Sequence, residues 1–226
     1  MSIPVILLHG FGCDSRFWRP QTAALTAAGC AVFAPDLPYH GGPQEGVQRS
    51  LQGLAAYVAA LPDEGPAVLI GHSLGGMIAL QVAHDHPQRV AALALVDAFP
   101  SLELNCAYLP GMCVDGMEPE LRGWIEKTRA EIIGRMTQAV YDEIWPSVVG
   151  FDARPWLSDL HRPVLGVYGG RGRYAVGDED ALRRDLRLTD VAGPVRVRIV
   201  PGAGHFVNLE QPQAVNEALV EWMGGR

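Results

Sequence analysis

The stretch Gly71-His72-Ser73-Leu74-Gly75-Gly76 decides the fold of this chain. It follows the apolar residues 67–70 and leads into the apolar residues 77–83, which predicts a buried strand, a tight turn and a helix in that order. Glycines two positions before and two positions after Ser73 leave room at such a turn, where larger side chains would collide with the bend. We therefore expect the turn to lift the Ser73 hydroxyl clear of the sheet, beside the positive N-terminal end of the helix.

Two more apolar runs end on glycine-rich loops. Residues 3–8 have the composition of a buried parallel strand and lead into His9-Gly10-Phe11-Gly12, while residues 195–200 lead into a loop that carries His205. Ligands bind outside the carboxyl ends of the strands in open α/β sheets. The two loops are therefore expected to converge with Ser73 at one edge of a sheet.

With its histidine-glycine loop, its G-x-S-x-G serine and its late histidine in this order, the chain resembles the α/β-hydrolase superfamily over nearly its whole length. The resemblance implies that Ser73 is the nucleophile and that His205 is the general base and then the general acid. It also implies that the backbone N–H groups of Phe11 and Leu74 form the oxyanion hole. No metal or organic cofactor is needed for this chemistry.

The acid of the expected triad departs from the pattern of the superfamily. Members usually carry an aspartate just after the strand that corresponds to residues 164–168 of this chain. Gly172 occupies the position where that aspartate would align. The usual third member is therefore missing.

Asp97 is the substitute that we favour for the acid. It ends the strand predicted over residues 92–96, and a carboxylate one strand over can still reach the second ring nitrogen of His205. Asp178 and Asp180, in the segment after the missing aspartate, are the competing candidates. A chain without a functional acid is the remaining alternative.

Strand-like and helix-like stretches alternate along most of the chain, which predicts the α/β class: a mostly parallel sheet of about six strands with helices on both faces. The predicted strands lie near residues 3–8, 30–34, 67–71, 91–96, 163–168 and 195–200. The predicted helices lie near residues 16–28, 48–61, 75–86, 178–188 and 211–223. The two N-terminal strands usual in the superfamily have no room before Ile3, so we expect an N-terminally trimmed α/β-hydrolase fold that forms a single domain over residues 1–226.

The alternation stops between residues 100 and 160, where helices are predicted from about 119 to 136 and from about 138 to 148. We expect this segment to be a small helical cap, inserted within the domain above the carboxyl edge of the sheet, which shapes the substrate pocket. His72 is expected to leave the serine turn on the side away from the site. The candidate substrate-binding residues are Phe11, Tyr39, Tyr108, Met112, Trp124, Trp145 and Phe206.

Composition limits the possible partners and compartment. A chain of 226 residues with 48% hydrophobic residues can bury a sizeable core, and a net charge of −7 argues against nucleic-acid binding. We see no secretory signal and no apolar run of transmembrane length, so no membrane insertion is expected. The four cysteines lack the spacing of a zinc site or a disulfide framework. The sequence thus predicts a cytoplasmic protein, monomeric or a small homo-oligomer, that acts on a small molecule.

The predicted function is hydrolysis of a carboxylic ester, or of a lactone or thioester, of a small hydrophobic substrate through an acyl-enzyme. One alternative is different chemistry on the same fold, with a histidine–aspartate pair as base: carbon–carbon bond hydrolysis, hydroxynitrile cleavage or cofactor-free oxygenation. The other alternative is a ligand-binding receptor with vestigial catalysis.

Overall fold

The structure is a computed structural model that describes residues 3–61, 65–104, 114, 116–171 and 174–225. Six strands in these ranges form one parallel sheet in the order β2-β1-β3-β4-β5-β6. The strands are β1 (Val5–Leu8), β2 (Val32–Phe33), β3 (Ala67–His72), β4 (Val90–Val96), β5 (Val164–Gly169) and β6 (Val195–Val200). The helices are α1 (Arg19–Ala27), α2 (Leu51–Ala60), α3 (Leu74–Asp85), α4 (Pro119–Ile133), α5 (Gln138–Val149), α6 (Glu179–Asp185), α7 (Val207–Glu210) and α8 (Pro212–Gly224).

Successive residues of the central strands alternate between two apolar layers, as the pleat of a strand requires. In β1, Ile6 and Leu8 belong to the layer that contains α2, α3 and α5, whereas Val5 and Leu7 belong to the layer that contains α1 and α8. All four residues are buried. Burial on both faces explains why the strands of this sheet are continuous apolar runs, and the helices cover both faces as predicted.

The edge strand β2 differs most from its predicted bounds. Strand β2 covers only Val32–Phe33, although the apolar run suggested residues 30–34. Phe33 is exposed, so an apolar side chain at this edge does not mark a buried position. Strand β6, at the other edge, has the partly exposed N-terminal half that its alternating arginines indicate.

The segment between β4 and β5 adds the helices α4 and α5. Helix α4 buries Ile125, Thr128 and Ile132, and Ile125 belongs to a small apolar cluster with Phe17 and Phe206. Helix α5 packs its buried residues into the larger layer of the core. Helix α4 ends at Ile133, three residues before the predicted end.

None of the helices in the described part of the chain has the length and apolar character needed to cross a membrane.

Candidate active site

Ser73 lies at the sharp turn between β3 and α3. Its φ of 52° and ψ of −118° are a strained combination for a residue with a side chain. A Cβ on Gly71 would lie 2.3 Å from the backbone of Gly75, and a Cβ on Gly75 would lie 2.1 Å from the carbonyl oxygen of Leu8. The two glycines are therefore required by close backbone contacts, on both sides of the serine.

The loop after β6 brings His205 to the end of β4, where Asp97 lies. The Nδ1–H group of His205 donates a hydrogen bond to Oδ2 of Asp97 at 2.6 Å. Oδ1 of the same carboxylate accepts the backbone N–H of Gly169 at 3.2 Å. Both side chains are buried, with 8% of the His205 side chain and 12% of the Asp97 side chain exposed. A carboxylate in this position fixes the ring tautomer and leaves Nε2 as a proton acceptor.

Asp178 and Asp180, the competing candidates for the acid, lie at the start of α6. The side chain of Asp178 accepts the backbone N–H of Ala175 just before α6. Asp180 is largely exposed and lies 3.7 Å from Arg183 on α6. Neither carboxylate hydrogen-bonds the ring of His205 within the described part of the chain, and Gly172 lies outside it.

The loop that carries His205 is held by Glu210. One carboxylate oxygen of Glu210 accepts the backbone N–H of Gly204 at 3.0 Å. The other oxygen pairs with the guanidinium of Arg171, which also donates to the carbonyl of Gly202 at 3.1 Å. A partly buried ion pair therefore holds the loop at Gly202 and Gly204, just before the histidine.

Ser73 and His205 line the same cavity, but no hydrogen bond joins the serine hydroxyl to the His205 ring in the described structure. Contacts of this kind are often long before substrate binds and tighten in the reacting complex. The Asp97–His205 hydrogen bond is therefore present before substrate binds. We expect the hydrogen bond between the Ser73 hydroxyl and the His205 ring to form when substrate binds.

The two predicted oxyanion donors belong to different parts of the chain that meet at this cavity. Leu74 is the first residue of α3, so its N–H has no acceptor within the helix. Phe11 follows Gly10, where a Cβ would lie 2.9 Å from the ring of His72. Both residues line the cavity with Ser73.

His9 holds the loop that carries Phe11. Its Nδ1–H donates to the carbonyl of Gly10 at 3.0 Å, and its Nε2 accepts the N–H of Leu37 at 2.9 Å. Burial lowers the pKa of His9 to about 3, and the neighbouring His40 lowers it as well. The ring is therefore neutral and braces two backbone segments, as a neutral imidazole with one donor and one acceptor can.

The cavity above Ser73 has a volume of about 250 Å³ and mostly apolar walls. Of the candidate substrate-binding residues, Phe11, Trp145 and Phe206 line it. Tyr108 and Met112 lie outside the described residues. The full described lining is Gly10, Phe11, Cys13, His72, Ser73, Leu74, Met77, Leu102, Arg129, Trp145, Val148, His205 and Phe206.

Tyr39 and Trp124 do not line the cavity within the described part of the chain. Tyr39 is buried, and its hydroxyl donates to the carbonyl oxygens of Gln44 and Val47. The ring of Trp124 lies 5.0 Å from that of Phe17, in the apolar cluster under α4. Both aromatic side chains pack against other parts of the protein here, and their contact with substrate stays a prediction.

His72 also differs from its expected position. Its Nε2–H donates to the carbonyl oxygen of His205 at 2.8 Å, and the two ring centroids are 4.7 Å apart. Residues two apart on a strand share a face, so His72 follows Ile70 on the face that the His205 loop covers. Burial, with His205 as the next cause, lowers the pKa of His72 well below its usual value. A neutral His72 therefore supports the backbone of His205.

Sequence reasoning missed Arg129 as a cavity residue. It is one residue past the buried Thr128 on α4, and its guanidinium carbon lies 5.9 Å from the ring centroid of Phe206. The charged sequence around it is typical of a solvent-exposed helix face. Whether Arg129 faces solvent or the cavity depends on how α4 is rotated about its axis, which the sequence does not give.

A metal site is not apparent in the described part of the chain, where no three His, Cys, Asp or Glu side chains come together.

Comparison with known proteins relates the chain to one family. The sequence model described as "Alpha/beta hydrolase family" matches residues 5–218. The chain is 29% identical over 250 residues to a pimeloyl-[acyl-carrier protein] methyl ester esterase of Edwardsiella ictaluri, a match that covers 98% of this chain and 93% of that protein.

Two further matches extend this comparison. The chain is 31% identical over 251 residues to the dihydrolipoyllysine-residue acetyltransferase component of an acetoin cleaving system of Pseudomonas putida. That match covers 97% of this chain and 63% of the longer protein. Among solved structures, Est816, described as an N-acyl homoserine lactone degrading enzyme, superposes with a TM-score of 0.79 at 26% identity. That match covers 98% of this chain and 93% of Est816.

Proposed function

Since the chain belongs to the alpha/beta hydrolase family, we propose that it is a serine hydrolase that cleaves a carboxylic ester through an acyl-enzyme. One observation carries the proposal: the buried hydrogen bond between Asp97 and His205, at the cavity that Ser73 lines. A histidine oriented by a carboxylate, at the same cavity as a partly buried serine on a strained turn, is the arrangement that activates a serine hydroxyl.

In the first half of the reaction, Nε2 of His205 takes the proton of Ser73 as Oγ attacks the ester carbonyl. Asp97 stabilises the imidazolium that forms, because its carboxylate already accepts the Nδ1–H group. The imidazolium then gives its proton to the leaving alcohol, and the acyl group stays on Ser73.

The negative charge on the carbonyl oxygen is stabilised by the N–H groups of Phe11 and Leu74. Both are backbone donors in fixed positions, Phe11 on the loop that His9 braces and Leu74 at the first residue of α3, so they need no rearrangement when the charge develops. Water then attacks the acyl-enzyme, with His205 again as base, and releases the acid. Each step uses only protein groups and water.

We propose an ester or a lactone as the substrate. Two related proteins support this substrate class by their names, one a methyl ester esterase and the other a lactone degrading enzyme. The segment of residues 100–160 is the proposed cap, because α4 and α5 contribute Arg129 and Trp145 to the cavity wall. We place the enzyme in the cytoplasm, as a monomer or small homo-oligomer.

Hydrolysis of 4-nitrophenyl butyrate tests the proposal. The wild type should release 4-nitrophenol, while Ser73→Ala and His205→Ala should each lose about 10³-fold or more in kcat/KM. His84→Ala is the matched control, since His84 is an exposed histidine paired with Asp85. A Ser73→Ala variant that keeps the wild-type rate would refute the acyl-enzyme and leave base chemistry by His205, or ligand binding, as the function.

A further inference from the structure

Arg129 brings a cationic side chain to the lining of the Ser73 cavity. Its Nε is buried and has no hydrogen-bond partner in the described part of the chain, and no described carboxylate forms an ion pair with it. Its guanidinium carbon lies 5.9 Å from the centroid of the Phe206 ring. The side chain therefore brings a positive charge, beside an aromatic face, to the wall of the Ser73 cavity.

Three other partly buried arginines of this protein are paired with carboxylates. Arg16 lies 2.7 Å from Asp14, Arg154 lies 2.8 Å from Asp152, and Arg171 pairs with Glu210. The chain carries 25 acidic residues against 18 basic ones, so carboxylates are in excess. Removing a guanidinium from water costs free energy that an anion normally offsets. Among the described residues, Arg129 therefore differs from these three arginines in having no carboxylate partner, and it lines the substrate cavity.

We propose that Arg129 binds a carboxylate of the substrate, so that the enzyme prefers an ester whose acyl part carries a second, free carboxylate. The inference rests on the proposed ester hydrolysis, and it narrows the substrate to half-esters of dicarboxylic acids. The planar guanidinium matches a carboxylate through two parallel hydrogen bonds. One cation balances one negative charge, whereas a phosphate monoester would bring nearly two charges at neutral pH.

The remaining walls fit the rest of such a substrate. Phe11, Trp145 and Val148 are apolar and suit the methylene chain between the two carbonyl groups. The cavity volume of about 250 Å³ limits that chain to a short one. Low polarity around the guanidinium also strengthens its attraction for an anion relative to the same pair in water.

Turnover of matched esters tests the inference. The anionic substrates are monomethyl succinate, glutarate and adipate, and each has a neutral counterpart in which a primary amide replaces the carboxylate. The wild type should hydrolyse the anionic ester of the best length with the higher kcat/KM. That preference should fall about 10- to 100-fold in Arg129→Met, the usual effect of losing a hydrogen bond between charged groups.

Arg135→Met is the control variant, because Arg135 is an exposed arginine two residues past the end of α4 and its loss changes the net charge equally. It should keep the wild-type preference. Arg129→Lys should fall between Arg129→Met and the wild type, since it keeps the charge but not the two parallel hydrogen bonds.

Binding without turnover separates this inference from the esterase proposal. The Kd of monomethyl glutarate for Ser73→Ala, measured by calorimetry, should rise at least 10-fold when Arg129→Met is added. Hydrolysis of both esters with a preference that Arg129→Met does not change would overturn the carboxylate site and keep the esterase. Arg129-dependent binding without turnover by the wild type would overturn the esterase and keep the site. Neither binding nor turnover would overturn both.

Discussion

Two residues of the proposed triad, Ser73 and Asp97, lie at strand ends in strained backbone conformations. Asp97 has a φ of 44°, and Ser73 has a φ of 52°. Asp97 is held there because its N–H donates to the carbonyl of Val167 and its carboxylate accepts the N–H of Gly169. Aspartate tolerates this region better than most residues, and strain of this kind persists only where neighbouring contacts fix it. The orientation of the carboxylate toward His205 is therefore set by the sheet itself.

Replacing Asp97 by asparagine should lower kcat/KM for 4-nitrophenyl butyrate about 10³- to 10⁴-fold. An amide can donate to Nδ1 of His205 and so favour the wrong tautomer, and it cannot stabilise the imidazolium. Asp178→Asn is the control, since its side chain oxygen can still accept the N–H of Ala175. Equal losses in the two variants, or a loss only in Asp178→Asn, would refute Asp97 as the acid.

Ser73, His205 and Asp97 could be predicted as candidate site residues because each follows a recognisable strand. The sequence did not place Arg129 in the cavity or His72 against His205. The position of these two side chains depends on how an element is rotated and on which loop covers it. The same holds for Trp124 and Tyr39, because an aromatic residue near a site packs inward or outward according to tertiary contacts alone.

At the scale of elements, the turn between β3 and α3 depends on glycine. Gly75→Ala should lower the free energy of unfolding by about 3 kcal/mol or more, or prevent folding, because the new Cβ would lie 2.1 Å from a backbone oxygen of Leu8. Gly123→Ala is the matched control on α4, where a Cβ would meet nothing within 4 Å. It should raise stability by up to about 1 kcal/mol. Urea unfolding measures both, and a Gly75→Ala protein as stable as the wild type would contradict the tight turn.

The order of strands and helices was predictable because buried parallel strands are continuous apolar runs and the surface helices are amphipathic. The bounds of the edge strand β2 and of helix α4 were less predictable. Phe33 is apolar yet exposed within the short β2, and α4 stops at Ile133 although its pattern continues. Edge strands and helix ends are set by local capping and by neighbours, which the apolar pattern of one segment does not contain.

Across the whole molecule, three buried neutral histidines surround the site. Burial lowers the pKa of His9 to about 3 and that of His40 to about 4, and it lowers the pKa of His72 well below its usual value. Below pH 6.5 the unfolded chain binds protons at these residues while the folded chain does not, so the free energy of unfolding falls as the pH falls. Each histidine contributes a slope of up to about 1.4 kcal/mol per pH unit between pH 6.5 and its own folded pKa.

His40→Gln should make the stability less dependent on pH between pH 6 and 4.5, whatever its effect on stability at pH 7. Thermal or urea unfolding over this range gives the slope. His84→Gln, at an exposed histidine, is the control and should keep the wild-type slope. A His40→Gln slope equal to that of the wild type would show that His40 is not a buried neutral group.

The most direct test of the central claim, an activated serine at position 73, is the intact mass of the protein after reaction with a fluorophosphonate. The wild type should gain the mass of one adduct, Ser73→Ala should gain none, and His205→Ala should react far more slowly because its serine lacks a base. Folded wild-type protein without an adduct, or an equal adduct on Ser73→Ala, would contradict the account.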